Sequence, residues 1–444
     1  MSDSLYDRIL AEIEEIKVID THEHLAHPDL WLNRKLDFSW LFFHYTSSDA
    51  VSAGLPPENV PKIQGQELSE HDKWRLLEPY WPKIRNTAYS KCLLESIQEV
   101  YEIEDLNRDT YKTLGEAMRE KQTPTFFRDT LRAAGIECSM WQWINHEEHS
   151  DIGFREEYDR EMYVQDVHDP FMFADPDAWR KRGHKLNNLS DYEELIDAEI
   201  TRLAPVISAY KIGHAYERTL SFDEVARDDA SSLFEKLLAS GKDMRTAHPT
   251  EQFKWTPEGK ALMDYICHFA MACCEKNDLP VKVHTGIQEG NGNYISHSDP
   301  TLLTNLFLKF PKTRFDLYHI GYPFQHKMTV LAKNFQNVRV DFCWAWIIAP
   351  TPARAALHEY LEAIPYTEIH GFGGDYIMVE PVVGHLRAAQ RNIAKVLTEK
   401  VEEKWFTEDE AVTVANALFR DNALEFFRIE EKRANALKHL DKKG

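Results

Sequence analysis

The chain has 444 residues, of which 43% are hydrophobic and 12% aromatic, so it can bury a large core and is not a disordered segment. Its formal net charge of −21 repels nucleic acid and anionic membrane surfaces, and neither is an expected partner. No stretch approaches the roughly 18 apolar residues of a membrane span, and the first residues lack the basic and apolar regions of a signal peptide. The six cysteines have no regular spacing, so we expect free, buried thiols in a cytoplasmic protein.

The first part of the chain predicts one helix, one short strand and then a long helical segment. Apolar residues recur at helical spacing over 5–16, and a strand follows at 18–21. Residues 26–130 are rich in tryptophan, tyrosine, proline and charge, with no alternating strand pattern. We interpret them as a helical insertion after strand 1 that forms a lid. Its candidate lid side chains are Trp31, Arg34, Trp40 and Tyr45.

After the insertion, predicted strands alternate with predicted helices. This alternation predicts a parallel sheet covered by helices, and eight strands favour a closed (β/α)8 TIM barrel over a doubly wound sheet. No G-x-G-x-x-G follows a strand, which disfavours dinucleotide binding. We therefore predict an α/β fold in which residues 1–444 form a single domain. The later strands are predicted at 136–143, 162–167, 205–212, 279–284, 314–319, 337–342 and 368–374, with helices at 193–203, 261–276, 300–310 and 353–364.

Ionisable side chains stand where five of the predicted strands end. A parallel barrel carries its chemistry at these carboxyl ends, so we expect the side chains to converge. Each alone has a plainer explanation, such as a hydrogen-bonded core histidine, a turn or a lysine that reaches the surface. Together they favour a metal site. They are His22 and His24 at strand 1, Lys211 at strand 4, His284 at strand 5, His319 at strand 6 and Asp375 at strand 8.

This order of ligands resembles the amidohydrolase superfamily, and most closely its amidohydrolase 2 group of TIM-barrel hydrolases. The segments HTG (284–286), GGDY (373–376) and FRDNALEFF (419–427) look like that superfamily's metal-site strands and its last-helix asparagine pattern. The resemblance runs from residue 18 to about residue 428, with a long insertion at 26–130.

The resemblance implies two divalent metals, expected to be zinc. An anionic carbamate on the lysine would replace an ammonium group that two cations would repel. A one-metal form of the group is the alternative, in which His319 is catalytic and the lysine is not needed. The implied two-metal ligands are His22, His24 and Asp375 for the first ion, His284 and His319 for the second, and a carboxylated Lys211 as the bridge.

The resemblance also implies a reaction. We expect hydrolysis of an amide, ester, lactone or cyclic amide by a metal-activated hydroxide, with Asp375 and His319 as catalytic residues. Two alternatives stay open. One is a single-metal decarboxylase, lyase or uronate-isomerase-like enzyme, and the other is a non-catalytic barrel that kept the ligands.

Three further side chains are candidates for substrate contact. Arg218 could bind a carboxylate, and Trp344 and Trp346 could wall a pocket, although surface and core roles explain them equally well. The glycine-rich segment 286–293 lacks the Lys-Ser/Thr of a phosphate loop, so we interpret it as a substrate-side loop. We expect a small-molecule substrate, one able to carry a carboxylate, and a homo-oligomer. Groups expected to support the metal site are Asp20, Glu380 and His385.

Overall fold

In the computed structural model, eight strands form a nearly closed parallel barrel, which confirms the predicted (β/α)8 fold. The structure describes residues 4–26, 28–143, 162–172, 175–240, 245–248 and 251–441. Strand order in the barrel is β1-β2-β3-β4-β7-β8-β9-β10, while β5 and β6 form a separate antiparallel hairpin that the sequence did not predict. The strands are β1 (Val18–Glu23), β2 (Ile136–Trp143), β3 (Tyr163–His168), β4 (Ile207–Ile212), β5 (Arg245–His248), β6 (Glu251–Trp255), β7 (Val281–Val283), β8 (Phe315–Leu317), β9 (Val338–Asp341) and β10 (Ile369–His370).

The helices cover most of the remaining chain. In chain order they are α1 (Leu5–Glu14), α2 (Pro28–Leu32), α3 (Tyr45–Ser52), α4 (Val60–Gln64), α5 (Glu70–Leu77), α6 (Trp81–Ile84), α7 (Ala88–Tyr101), α8 (Tyr111–Glu120), α9 (Phe126–Ala134), α10 (Pro176–Lys181), α11 (Leu189–Leu203), α12 (Arg227–Ser240), α13 (Pro257–Lys276), α14 (Thr304–Lys309), α15 (Gln325–Asn334), α16 (Ala345–Ile348), α17 (Pro350–Ala363), α18 (Glu380–Glu402), α19 (Glu408–Asn416), α20 (Asn422–Phe426) and α21 (Ile429–Asp441). Short 3-10 segments are Phe38–Phe42, Pro57–Asn59, His214–Tyr216, Ile295–Ser298, Pro300–Leu303, His319–Gly321 and Tyr366–Glu368, and Ala417–Asp421 is a π turn.

The chain divides into two compact units. Unit 1 comprises Met1–Trp141, Glu289–Asn291 and Phe342–Ala423, and unit 2 comprises Gln142–Gln288, Gly292–Asp341 and Leu424–Gly444.

Unit 1 contains the segment predicted as a helical insertion. Its described residues between β1 and β2 form α2 to α9 and two 3-10 turns, with no strand among them. Aromatic rings hold these short helices together, as where Trp74 stacks on Tyr111 with ring centroids 5.1 Å apart. A buried ion pair joins Lys73 Nζ to Asp37 Oδ2 at 2.7 Å. The role of this segment as a lid stays a prediction.

The strand β1 of unit 1 combines full burial with polar side chains. All six of its residues are buried, although Asp20, Thr21, His22 and Glu23 are polar. Buried polar groups are costly unless they are hydrogen-bonded, so such a strand requires matching partners. Backbone N–H groups of the segment 374–376 supply two of these partners, one to Asp20 and one to Glu23.

Unit 2 contains the strands β3, β4, β7, β8 and β9. Its helix α13 begins after Thr256, whose side chain accepts a hydrogen bond from the Gly259 N–H, with Pro257 in the first helical position. The six cysteines are buried and are not joined in disulfides, as predicted. None of the helices in the described ranges combines the length and apolarity needed to cross a membrane. The cytoplasmic location and the homo-oligomer stay predictions.

Candidate functional site

Three predicted ligands meet in unit 1, at the ends of β1 and β10. The Nε2 atoms of His22 and His24 lie 3.1 Å apart. Asp375 Oδ1 lies 3.2 Å from the Nε2 atom of His24 and 3.6 Å from that of His22. His22 and Asp375 are buried, and His24 is partly exposed. We call these three residues the triad.

The triad fits a divalent metal ion. A tetrahedral ion whose ligands are about 2.0–2.2 Å away separates them by roughly 3.3–3.6 Å, close to the three spacings measured here. Two imidazoles and a carboxylate are also the ligand types that zinc prefers. The residues present therefore suit the metal that the sequence predicts.

Backbone hydrogen bonds hold the segment 374–376 that carries Asp375. Asp375 has a left-handed φ of 61°, which is costly for a non-glycine residue and persists only where surrounding contacts enforce it. All six backbone polar groups of the segment have partners in unit 1. The N–H groups donate to Asp20 Oδ1 (3.0 Å), the His22 carbonyl (2.9 Å) and Glu23 Oε2 (2.8 Å), and the carbonyls accept from the His385 ring (3.1 Å), the Tyr45 hydroxyl and the His24 N–H (3.1 Å).

Glycine is required at position 374 by close packing. A Cβ atom there would collide with the Glu23 carboxylate, which must stay in place to accept the Tyr376 N–H. Burial raises the pKa of Asp20 to about 6, and burial together with the Asp20 charge raises the pKa of Glu23. Asp20, expected to orient a ligand ring, contacts backbone N–H groups and the Ser139 hydroxyl.

Aromatic rings of unit 1 pack together beside Asp375, whose carbonyl accepts a hydrogen bond from the Tyr45 hydroxyl. The Tyr45 ring stacks on Trp344 with centroids 4.5 Å apart and on Tyr89 at 5.0 Å. His44 stacks on Tyr45 at 3.8 Å, and burial lowers the pKa of His44 to about 3, so its ring is neutral. Trp344, a predicted pocket residue, has a left-handed φ of 65° and therefore sits in a backbone conformation that its packing must enforce.

Glu289 is a site residue that the sequence reasoning missed. Its carboxylate accepts a hydrogen bond from the Ser48 hydroxyl of α3 at 3.4 Å. Burial raises the pKa of Glu289, the nearby Asp375 raises it further, and His24 and the Ser48 bond oppose the rise. The sequence does place this glutamate between glycines in the predicted substrate-side loop. The sequence alone does not predict the direction of its side chain.

Unit 2 holds the second pair of predicted ligands. His284 Nδ1 lies 3.0 Å from His319 Nε2. The Nε2 atom of His284 lies 2.9 Å from the Ile287 carbonyl, so this ring donates a hydrogen bond from Nε2. His319 is fully buried and has a left-handed φ of 65°. We call His284 and His319 the imidazole pair of unit 2.

The predicted bridging residue, Lys211, also lies in unit 2. It is buried in β4, with its Nζ atom 3.8 Å from the centroid of the Tyr318 ring. Its register partner on β7 is Lys282, two residues before His284. This distance is that of a cation–π contact.

The remaining predicted residues have contacts typical of packing. Arg218 donates to Asp264 and to the carbonyls of Thr219 and Ser221, inside unit 2. Trp346 is fully buried in unit 1, where its ring N–H donates to the Gly371 carbonyl at 2.9 Å. Of the predicted supporting residues, His385 contacts the Gly374 carbonyl, while Glu380 accepts from the Tyr101 hydroxyl at 2.8 Å.

Part of the chain matches a known protein-family model. Residues 227–429 match the profile of the amidohydrolase family, which confirms the resemblance seen in the sequence. No curated protein matches the chain.

Several solved structures share the fold at low sequence identity. A proposed metal-dependent hydrolase from Lactobacillus casei has a TM-score of 0.65 at 15% identity, covering 96% of this chain and 98% of that one. A uronate isomerase from Thermotoga maritima has a TM-score of 0.73 at 15% identity, covering 95% and 97%. A glucuronate isomerase from Caulobacter crescentus has a TM-score of 0.73 at 16% identity, covering 97% and 96%.

Proposed function

We propose that this protein is an isomerase that uses one divalent metal ion, with zinc as the expected ion, held by the triad, and that its substrate is a sugar acid. The observation that carries the proposal is the spacing of the triad, which suits one ion. The carboxylate of Glu289 lies near the triad without belonging to it and is therefore available for proton transfer. Two similar barrels that match almost end to end are a uronate isomerase and a glucuronate isomerase.

The chemistry needs proton transfer and no oxidant. Converting an aldose to a ketose moves one proton from carbon 2 to carbon 1 and another between the two oxygens. His22, His24 and Asp375 would hold the divalent ion, which would act as a Lewis acid towards the substrate carbonyl group. Glu289 is one proposed proton carrier, since burial raises the pKa of its carboxyl group and so favours the protonated form. His319, which the sequence predicts to be catalytic, is the other.

The aromatic residues of unit 1 exclude water in this proposal. Trp344, Tyr45 and Tyr89 stack on one another, and the first two are buried, so their rings leave little room for water beside Asp375. The Tyr45 hydroxyl holds the Asp375 carbonyl, and this contact keeps the carboxylate oriented toward the two imidazoles.

A hydrolase is the second candidate function. The imidazole pair of unit 2 has a spacing of 3.0 Å, nearly that of His22 and His24, and could hold a second ion as hydrolases of this family do. Such an enzyme would cleave an amide, ester, lactone or cyclic amide, and the Lactobacillus casei neighbour supports this option.

Metal stoichiometry and substrate panels separate these functions. We expect about one bound divalent ion per chain by elemental analysis of the purified protein, and keto-acid formation from glucuronate or a related uronate. Two ions per chain with hydrolysis of an amide or lactone panel, and no isomerisation, would establish the hydrolase instead. A metal-replete protein that is inert towards both panels would support the non-catalytic barrel.

A further inference from the structure

Lys211 lies two residues below the level of His284, counted from the carboxyl ends of the neighbouring strands β4 and β7. We call the level of Lys211 and Lys282 the deeper layer. The β4–β7 register places Lys211 beside Lys282 and Ile212 beside Val283, so Gly213 is the β4 residue level with His284. Residues two apart on a strand differ in height by about 6.6 Å. The Cα atom of Lys211 therefore lies below the level of the imidazole pair, beside that of Lys282.

Two lysines of this deeper layer face one aromatic ring. The Nζ atom of Lys211 lies 3.8 Å from the Tyr318 ring centroid, and that of Lys282 lies 5.6 Å from it. Lys282 also forms a fully buried ion pair with Asp166, at 2.8 Å. The face of an aromatic ring carries negative potential and attracts cations, so this arrangement suits two ammonium groups.

The neighbouring carboxyl group favours a positive charge as well. Asp316 is fully buried, and burial raises its pKa to about 7, while the charges of Lys282 and Lys211 oppose the rise. A carbamate on Lys211 would place a second anion beside this carboxyl group and against the negative face of Tyr318. Both contacts would turn from attractive to repulsive.

Tyr318 immediately precedes His319 in the chain. Contacts that hold the Tyr318 ring in place therefore also restrict the backbone turn that carries His319. The Tyr318 N–H donates to the Val283 carbonyl at 3.0 Å, and its carbonyl accepts from the Thr285 hydroxyl at 2.7 Å. His319 and Ile320 follow with left-handed φ values of 65° and 48°. A turn in this costly conformation needs firm support on its strand side.

We infer that Lys211 is an uncarboxylated cation that positions His319 through the Tyr318 ring, and that it is not a bridging metal ligand. The inference rests on the proposed function, which gives His319 its role as a proton carrier. It makes Lys211 a positioning residue, since it acts through Tyr318 and not on the substrate.

Carboxylation is tested on the full-length protein without any activity assay. We expect no carbamate signal after incubation with carbon-13 bicarbonate, no added mass of one CO2 by native mass spectrometry, and the same metal content with and without bicarbonate. A bicarbonate-dependent carbamate, together with loss of one metal ion in Lys211→Met, would overturn the inference. These readouts decide about Lys211 even if the protein isomerises no uronate.

Positioning is tested with conservative and disruptive variants. Misplacing a catalytic group by about 1 Å can cost roughly 100-fold in rate, so we expect Lys211→Met and Tyr318→Leu to lower kcat by about 10- to 100-fold with KM within about 2-fold. Lys211→Arg and Tyr318→Phe keep the cation and the ring, so they should keep most of the activity. The double variant Lys211→Met/Tyr318→Leu should be no slower than either single one.

Two kinetic results would refute positioning: additive losses in the double variant, or Lys211→Arg as damaged as Lys211→Met. Circular dichroism and melting temperature check that each variant folds. If Lys211→Met fails to fold, the remaining variants still test positioning. Lys211→Arg and Tyr318→Phe should then keep most of the activity, while Tyr318→Leu should lose it.

Discussion

The two imidazole pairs of the chain, one in each compact unit, have nearly the same spacing but different surroundings. His22 and His24 lie 3.1 Å apart beside the Asp375 carboxylate, on backbone whose polar groups are hydrogen-bonded. His284 and His319 lie 3.0 Å apart, and the layer beneath them contains lysine ammonium groups and a tyrosine ring. The first environment supplies negative charge to a cation, and the second already contains cations. Spacing alone therefore does not define a metal site.

The largest expected effect comes from removing the ligands of the first pair. We predict that His22→Asn/His24→Asn loses the bound metal and lowers the rate roughly 1000-fold, since a catalytic ion contributes several kcal/mol to transition-state stabilisation. The matched variant His284→Asn/His319→Asn should lose activity but keep its ion. Elemental analysis of both proteins checks this. Equal metal loss from the two variants would mean that both pairs are ligands, and the single-ion proposal would be wrong.

Glu289 offers the next largest effect. Replacing a proton carrier costs typically 100-fold or more, so we predict that Glu289→Gln lowers kcat by about 100-fold without loss of metal. Ser48→Ala removes only the hydroxyl that contacts Glu289 and should stay within about 3-fold of wild type. Steady-state kinetics on the isomerised substrate separates the two. If Glu289→Gln behaves like Ser48→Ala, Glu289 is not a proton carrier.

Much of the fold could be predicted because apolar strands and amphipathic helices alternate along the chain. All eight predicted strands have counterparts, and Ile136–Trp143 has the predicted bounds. The hairpin β5–β6 was missed because its residues, RTAH and EQFKW, lack a run of apolar side chains. β10 is shorter than predicted, covering only Ile369–His370, because the backbone after it turns to other partners, as where the Gly371 N–H donates to the Leu418 carbonyl.

The positions of site residues could be predicted where they follow from the alternation of side chains along one strand. They could not be predicted where they depend on how two strands pair. His22 and His24 share a face because side chains alternate along a strand, and their proximity needed no further information. The level of Lys211 depends on its register with Lys282, which long-range pairing sets. Glu289 reaches the triad region through a loop, and loop shape does not follow from residue pattern.

A smaller effect is expected for the hydroxyl that holds Asp375. We predict that Tyr45→Phe lowers activity by about 5- to 10-fold, because a buried hydrogen bond contributes about 1 kcal/mol net and the freed Asp375 carbonyl loses its partner. The ring still stacks on Trp344. Tyr376→Phe is the matched control, since the Tyr376 hydroxyl contacts Cys92 Sγ, a weak hydrogen-bonding partner, at 3.5 Å. Similar losses in both variants would mean that the Tyr45 hydroxyl has no special role in orienting Asp375.

The last prediction compares one buried carboxyl group from each unit and concerns stability instead of rate. Burial raises the pKa of Glu380 in unit 1 to about 7, and hydrogen bonds including that from Tyr101 oppose the rise. Because the folded protein holds this proton more tightly than the unfolded chain, Glu380 favours folding below its unfolded pKa of about 4.5. That contribution is lost as the pH rises towards 7. Glu380→Gln cannot ionise, so its free energy of unfolding relative to wild type should increase by about 1–3 kcal/mol between pH 5 and pH 8, measured by urea denaturation.

Asp316 of unit 2 has a similarly raised pKa but stands beside Lys282 and Lys211. Asp316→Asn removes the anion that these buried ammonium groups face, so it should destabilise the protein at pH 8, opposite in sign to Glu380→Gln. Comparing the two variants therefore tests, without any substrate, whether the buried carboxyl group of unit 2 faces positive charges and that of unit 1 does not. A stabilising Asp316→Asn at pH 8 would show that the lysines of unit 2 do not depend on Asp316. It would also weaken the electrostatic argument that Lys211 remains an ammonium group.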